Sequence, residues 1–286
     1  MLATRSRNNP AEHQSRLPTS APLPLIIGHR GASSVAPENT LAAFNRALEE
    51  GADGIELDVR LSRDGVPVVI HDATLRRTGD DTRAVAEMSS AELTRTDVGS
   101  WFNRAKPQLA RLEYSKESVP KLERVFGILT TAKAKGPLGY VELKIDKGQE
   151  YRGLVESVTS LISNHKLQKQ IIVISFNLKA VALTKELDST IRTGALFEPR
   201  RNIHRVVRKH QMINAALDHG ASELLLHRLI ATRRMVDAAL EANLAPVIWT
   251  VDDPKWIERA KTRGILALIT NNPAKMGLDS TKLLLG

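Results

Sequence analysis

The sequence predicts an α/β fold, a TIM (β/α)8 barrel, on three observations. Short apolar runs alternate with helical patterns through most of the chain, eight such runs remain once a hairpin return is set aside, and polar residues gather where the runs end. Strands separated by single helices pair in parallel through right-handed crossovers. A doubly wound open sheet is the alternative, but it scatters His29, Glu56 and Glu142, whereas a barrel gathers them at the C-terminal face. The 286 residues suit one barrel, which typically takes ~250.

Taken in order, residues 1–22 are polar, carry Arg5, Arg7 and Arg16 against Glu12, and read as a flexible tail before a barrel spanning 23–286. Leu25-Ile26-Ile27 begins the first strand, which hands His29, Arg30 and Gly31 to a loop. Asn39 or Thr40 caps a helix whose apolar positions Leu41, Phe44, Ala47 and Leu48 fall on one face, and Gly51 closes it. Gly54 to Leu61 is the second strand. The Arg63-Asp64-Gly65 turn sends the chain back through Val66 to Ile70 as an antiparallel hairpin, returning His71 to the neighbourhood of Glu56 and Asp58. Residues 74–118 are polar and without period, and read as an inserted loop region over the barrel mouth.

Regular alternation follows: a helix in Val119–Leu129, strand Leu138–Lys144, helix Glu150–Asn164, strand Ile171–Phe176, helix Asn177–Leu187 and strand Ile191–Phe197. A basic helix from Asn202, strand Ser222–His227, helix Thr232–Ala242, strand Pro246–Val251, helix Pro254–Arg263 and strand Ile265–Thr270 complete the pattern.

Two acids on one strand carry the chemistry. Side chains alternate with period two, so Glu56 and Asp58 share a face while Ile55, Leu57 and Val59 take the other. A parallel barrel strand has no solvated face, so the pair points to a site. Glu142 and Lys144 repeat the spacing on another strand, where a buried ion pair is the structural alternative. Converging carboxylates need a positive neutraliser, and oxygen donors favour a hard divalent cation, Mg2+ or Ca2+. His29 and His71 stand at two separate strand ends and suit proton exchange at neutral pH. Phe176 and Trp249, also at strand ends, read as an apolar wall for a ligand, with core packing as the plain alternative. His165, His204, His210, His219 and His227 read as surface or loop residues.

Composition sets limits. No cysteine is present, which removes disulfides, thiolate nucleophiles and cysteine-ligated metal. The formal charge of +9 favours anionic partners without choosing among them. The densest basic run, at 200–209, holds no stacking aromatics, so a solvated helix face is expected rather than a nucleic-acid interface. No run approaches the ~18 apolar residues of a membrane span, and no secretory signal is evident, so a cytoplasmic protein without stable membrane insertion is expected. Oligomeric state leaves no mark in the sequence.

The motifs His29-Arg30-Gly31, Pro37-Glu38-Asn39-Thr40, Glu56-Leu57-Asp58-Val59, Asp64-Gly65 with His71-Asp72, and Glu142-Leu143-Lys144 occur in one order, and on them the chain resembles the glycerophosphodiester phosphodiesterase family from about Ile26 to Pro273. The resemblance implies metal-dependent hydrolysis of a small-molecule glycerophosphodiester to an alcohol and sn-glycerol 3-phosphate. It implies His29 and His71 as the acid/base pair, Glu56, Asp58 and Glu142 as metal ligands, and Arg30 and Lys144 as a phosphate clamp. One position departs from it: family members often end the last strand in Thr-Asp, where this chain has Thr270-Asn271, so nothing is carried over to Asn271. A lysophospholipase D acting on acylated substrates shares such a site and is the nearest alternative; an apolar groove in 74–118 would favour it. A Schiff-base lysine at Lys144 and a non-catalytic phosphate-binding protein are the rivals from other classes.

Overall fold

In a computed structural model, residues 23–131, 136–199 and 209–277 are described. The tail expected at 1–22 and the basic segment at 200–208 lie outside them. Strands β1 (Leu25–His29), β2 (Gly54–Leu61), β4 (Leu138–Leu143), β5 (Ile171–Ser175), β6 (Arg192–Phe197), β7 (Glu223–His227), β8 (Ala245–Trp249) and β9 (Ala267–Thr270) pair in parallel in sequence order. A further β1–β2 pairing closes the ring, giving the eight-stranded parallel barrel that the alternation predicts. The hairpin return is β3 (Pro67–Val69), antiparallel on β2 with Val59 opposite Val69.

Helix ends follow their capping chemistry. Thr40, in extended conformation, accepts from the Ala43 N–H and starts α1 (Leu41–Glu49). Asn177 and Thr232 cap α6 (Leu178–Leu187) and α8 (Arg233–Glu241) in the same way. The helix α9 (Lys255–Arg263) ends at left-handed Gly264. Between these helices lie α4 (Leu122–Thr131), α5 (Arg152–Asn164) and α7 (Lys209–Asp218), and α10 (Pro273–Gly277) closes the described chain. Only the end of the basic helix expected from Asn202 falls within described residues.

Apolar side chains divide by strand face. Ile55, Leu57, Val59 and Val141 pack outward against α1, α4 and α5, while Ile27, Tyr140, Ile172, Leu225, Val247 and Ala267 fill the barrel interior. The polar run 74–118 is less irregular than its composition suggests. It contains two short helices, α2 (Ser90–Leu93) and α3 (Ser100–Ala105), and three single-turn 3-10 segments. Leu75, Val85, Met88, Leu93 and Val98 form a small core with Val68 and Ile70 of the hairpin, and Phe102 with Tyr114 packs against Ala36 and Ala43. Widely spaced apolar residues on short turns carry no period, so their pattern alone predicts a loop there. Among the described residues, no helix is long and apolar enough to cross a membrane.

Candidate active site

Strand register assembles the site. His29 on β1 lies opposite Glu56 on β2, and Asp58 lies opposite Glu142 on β4. Residues in register on neighbouring parallel strands face the same way, so the three acids meet inside the barrel near its C-terminal end. Carboxylate oxygens of Glu56, Asp58 and Glu142 lie within 4.8 Å of one another, and all three side chains are buried.

Cations line this cluster. The turn after β1 places Arg30 in the left-handed region at φ 54°, followed by Gly31 at φ 80°, where a Cβ would come within 2.4 Å of the Ala43 backbone. That turn aims the Arg30 N–H at Glu56 Oε2, 3.0 Å away, and brings Arg30 Nε within 3.1 Å of Asp58 Oδ2 as an ion pair. Lys144 Nζ lies 2.8 Å from Glu142 Oε1 and 3.5 Å from Asp58 Oδ1, so the ion pair considered as an alternative is present within the site itself. Asn39 donates through Nδ2 to Asp58 Oδ2 at 2.8 Å.

The histidines have different partners. His29 Nδ1 is 2.7 Å from Asn271 Oδ1, and its Nε2 is 3.9 Å from Glu56 Oε2. His71 Nδ1 is 2.6 Å from Asp72 Oδ1, whose other oxygen accepts from Arg77 Nε at 2.7 Å. Arg77 also donates to both oxygens of Glu38 at 2.8 Å, and Glu38 accepts from Arg30 at 2.8 Å.

Electrostatics follow burial and neighbours. Burial raises the Glu56 carboxyl well above the usual range, and Asp58 and Glu142 push it the same way. Glu142 rises to about 7 through burial, helped by Asp58 and opposed by Lys144. Burial opposes ionisation of Asp58 too, but Arg30, Lys144 and His71 outweigh it and hold this carboxyl well below its ordinary range. Lys144 stays protonated: Asp58 and Glu142 overcome its burial and raise it. A protonated, ion-paired amine is a poor nucleophile, which argues against the Schiff-base rival. Burial, then Arg30, lowers His29 to about 4; burial lowers His71, against the opposing charge of Asp58.

The cluster opens into a cavity of about 420 Å³ lined on its polar side by His29, Arg30, Glu56, His71, Glu142 and Lys144, and on its apolar side by Ile174, Leu196, Ile269, Phe176 and Trp249. Phe176 is 41% exposed and meets Trp249 edge-to-face at 5.7 Å. All nine residues singled out in the sequence thus fall at this mouth except Asp58, which lies beneath it, buried under Arg30 and Lys144. No residue of 74–118 lines this cavity; that segment reaches the site through Arg77.

Sequence reasoning missed several participants. Glu38 and Asn39 were visible within the Pro37-Glu38-Asn39-Thr40 motif but had no assigned contact. Asp72 adjoins His71. Arg77 lies in a stretch with no periodic signal, whereas Glu198, which also lines the cavity, directly follows β6 and was not singled out. Asn271, set aside as a departure, is the partner of His29. His227 and His165, read as surface or loop residues, are half-buried: His227 packs edge-to-face on Trp249 at 5.2 Å, and His165 on Phe126 at 5.9 Å.

A closed parallel barrel gathers three buried acids, two histidines and two cations at its C-terminal mouth, the face where barrels of this kind carry their active sites. Residues 29–275 match the glycerophosphoryl diester phosphodiesterase family. A glycerophosphodiester phosphodiesterase of Caldanaerobacter subterraneus is 35% identical over 61% of this chain and 67% of its own length. One of Bacillus subtilis is 32% identical over 62% of this chain and 60% of its own. Among solved structures, a phosphodiesterase of Oleispira antarctica, in complex with its product sn-glycerol-3-phosphate, superposes with a TM-score of 0.77 at 26% identity, covering 91% of this chain and 97% of that one. The chain belongs to the glycerophosphoryl diester phosphodiesterase family, as its motifs imply, and is an enzyme of that family.

Proposed function

We propose that the protein hydrolyses glycerophosphodiesters to an alcohol and sn-glycerol 3-phosphate, with a divalent cation held by Glu56, Asp58 and Glu142 and with His29 and His71 exchanging protons. The observation that carries this reading is the convergence of three buried carboxylates within 4.8 Å, beside Arg30 and Lys144. The donor set is oxygen only, and burial, with the charge of Asp58 beside them, pushes Glu56 and Glu142 toward neutrality, which fits a hard cation, Mg2+ or Ca2+. A cation held there would supply charge neutralisation and Lewis-acid polarisation for phosphoryl chemistry.

The remaining steps belong to the chain's own residues. Arg30 and Lys144 bind the phosphate and orient it. Phe176 and Trp249 wall the glycerol side. No cysteine is present and the acids are committed to the metal, so the first nucleophile is the substrate's own 2-hydroxyl, which gains the advantage of intramolecular attack. His29 accepts the 2-hydroxyl proton as the new P–O bond forms. His71 donates to the leaving alcohol as the scissile P–O bond breaks. Water then opens the cyclic phosphate with the roles reversed. A carboxylate behind His71 favours its protonated form, whereas the amide behind His29 adds no charge, which supports this division.

Assay of metal-stripped protein on a panel of glycerophosphodiesters, with and without added Mg2+ or Ca2+, tests the proposal. Turnover is expected only with metal, and full turnover in chelator sinks the metal role. A substrate with hydrogen in place of its 2-hydroxyl is expected to bind without turnover; hydrolysis near the parent rate makes water the direct nucleophile. Preference for an acyl-bearing glycerophosphodiester over the deacylated one would favour the lysophospholipase D reading.

A further inference from the structure

Asn271 stands where the chain departs from the family motif, and its surroundings fix the direction of its amide. Its backbone N–H donates to Asp252 Oδ1 at 2.8 Å, the Thr270 hydroxyl donates to the same oxygen at 2.9 Å, and its side-chain Nδ2 donates to Asp252 Oδ2 at 2.8 Å. An ionised carboxylate accepts and cannot donate, so the amide atom that faces it is the NH2. Oδ1 is therefore turned inward, where it lies 2.7 Å from His29 Nδ1 and 3.0 Å from Ser33 Oγ. An amide oxygen only accepts, so both neighbours donate to it, and the hydrogen of the neutral His29 ring sits on Nδ1. The reversed amide would set Oδ1 against a carboxylate oxygen at 2.8 Å, two acceptors with no hydrogen between them. His29 Nε2, left with its lone pair, is 3.9 Å from Glu56 Oε2, beyond hydrogen-bond range and free to take a proton from substrate.

We propose that Asp252 and Asn271 are positioning residues that lock His29 in the Nδ1–H tautomer, so that its Nε2 is the proton acceptor at the cavity. The proposal rests on the reading of His29 as a proton-transfer group, but the tautomer itself is observable without turnover. Neither residue touches the reacting atoms. Asp252 acts through Asn271, and Asn271 through the imidazole. Asn271 thus presents a hydrogen-bond acceptor behind His29 because Asp252 holds its amide.

The test is the 15N spectrum of histidine-labelled protein loaded with diamagnetic Mg2+ at pH 8, with the His29 signals identified by their loss in His29→Gln. The parent is expected to show a protonated Nδ1 and an unprotonated Nε2. In Asp252→Ala the amide is free to turn, and the signals are expected to move toward the Nε2–H form, with kcat falling ~10- to 100-fold and KM little changed. The exchange Asp252→Asn with Asn271→Asp restores an acceptor to His29 held by an amide, and is expected to recover the parent tautomer and most of kcat. A parent spectrum with the hydrogen on Nε2 overturns the proposal and needs no variant to fold. A parent-like tautomer and kcat in folded Asp252→Ala overturn it too. Undiminished activity in His29→Gln would instead sink the proton-transfer reading and leave the tautomer assignment standing.

Discussion

Trp249 presents two properties that a single substitution can separate. Its ring walls the cavity against Phe176 and His227, and its indole N–H is buried without a hydrogen-bond partner among the described residues. A buried donor left unpaired costs ~1–3 kcal/mol, a penalty that a substrate oxygen would relieve on binding. Trp249→Phe keeps an aromatic wall and deletes the donor, while Trp249→Ala removes both. The expected outcome is a KM for glycerophosphodiesters raised about five- to ten-fold by Phe, the value of one hydrogen bond of ~1 kcal/mol or slightly more, and further by Ala. Hydrolysis of an aryl phosphodiester lacking the glycerol should change less. Steady-state kinetics on the two substrates decides it: a Trp249→Phe enzyme with parent KM would show that the ring acts by shape alone.

At the scale of elements, the inserted segment 74–118 is tied to the barrel by a chain of charges. Arg77 bridges Asp72 and Glu38, and these acids contact His71 and Arg30 respectively. Both acids are held below their ordinary range. For Asp72 this happens despite burial, through the hydrogen bonds of Arg77 and His71; for Glu38 it happens despite burial, through Arg77 and Arg30. Arg77 therefore orients one side chain behind the proposed acid and another behind Arg30, the proposed phosphate-binding residue. Arg77→Met, which keeps an unbranched stem, is expected to lower kcat ~10- to 100-fold, the usual cost of a lost supporting partner, with metal affinity unchanged. Kinetics beside a metal titration measures both; a loss of metal binding of similar size would mean that the segment shapes the carboxylates instead. The same chain shows what a sequence can disclose. Glu56, Asp58, Glu142, His29 and His71 were legible because strand period and local motifs are short-range signals. Arg77 reaches Glu38 across 39 positions and His29 reaches Asn271 across 242, contacts that exist only once the barrel closes. The small core of 74–118 hid for a related reason: its apolar residues lie on single turns, and no period survives so few residues.

Across the whole molecule, the two ends of the barrel hold buried acids with opposite consequences: a cluster of three at one end and a single glutamate at the other. At the C-terminal end, Glu56, Asp58 and Glu142 meet cations and solvent-accessible space. At the N-terminal end, Glu223 opens β7 inside the barrel beside Arg192 and Tyr140, with 2% of its surface exposed and Arg192 3.5 Å away. Its two oxygens and the Tyr140 hydroxyl make no well-formed hydrogen bond among the described residues. Burial pushes the Glu223 carboxyl up to about 7, against the opposing charge of Arg192. An unfolded glutamate ionises near ~4.3, so between that pH and 7 the folded chain keeps a proton that the unfolded chain has released. Stability from this group is therefore fully present below ~4.3 and falls as pH rises through 7, by roughly 3–4 kcal/mol at most. Glu223→Gln places a neutral group of nearly the same shape there, leaving Arg192, which is 38% exposed, to be solvated. The variant is expected to gain stability relative to the parent as pH rises from 5 to 8, and to keep its activity because the group stands at the far end from the site. Denaturant unfolding at several pH values, with the variant's curve subtracted from the parent's to cancel the titration of the active-site acids, measures this directly. Parallel pH profiles would mean that Glu223 is ionised throughout, and that its pairing with Arg192, not its burial, sets its charge.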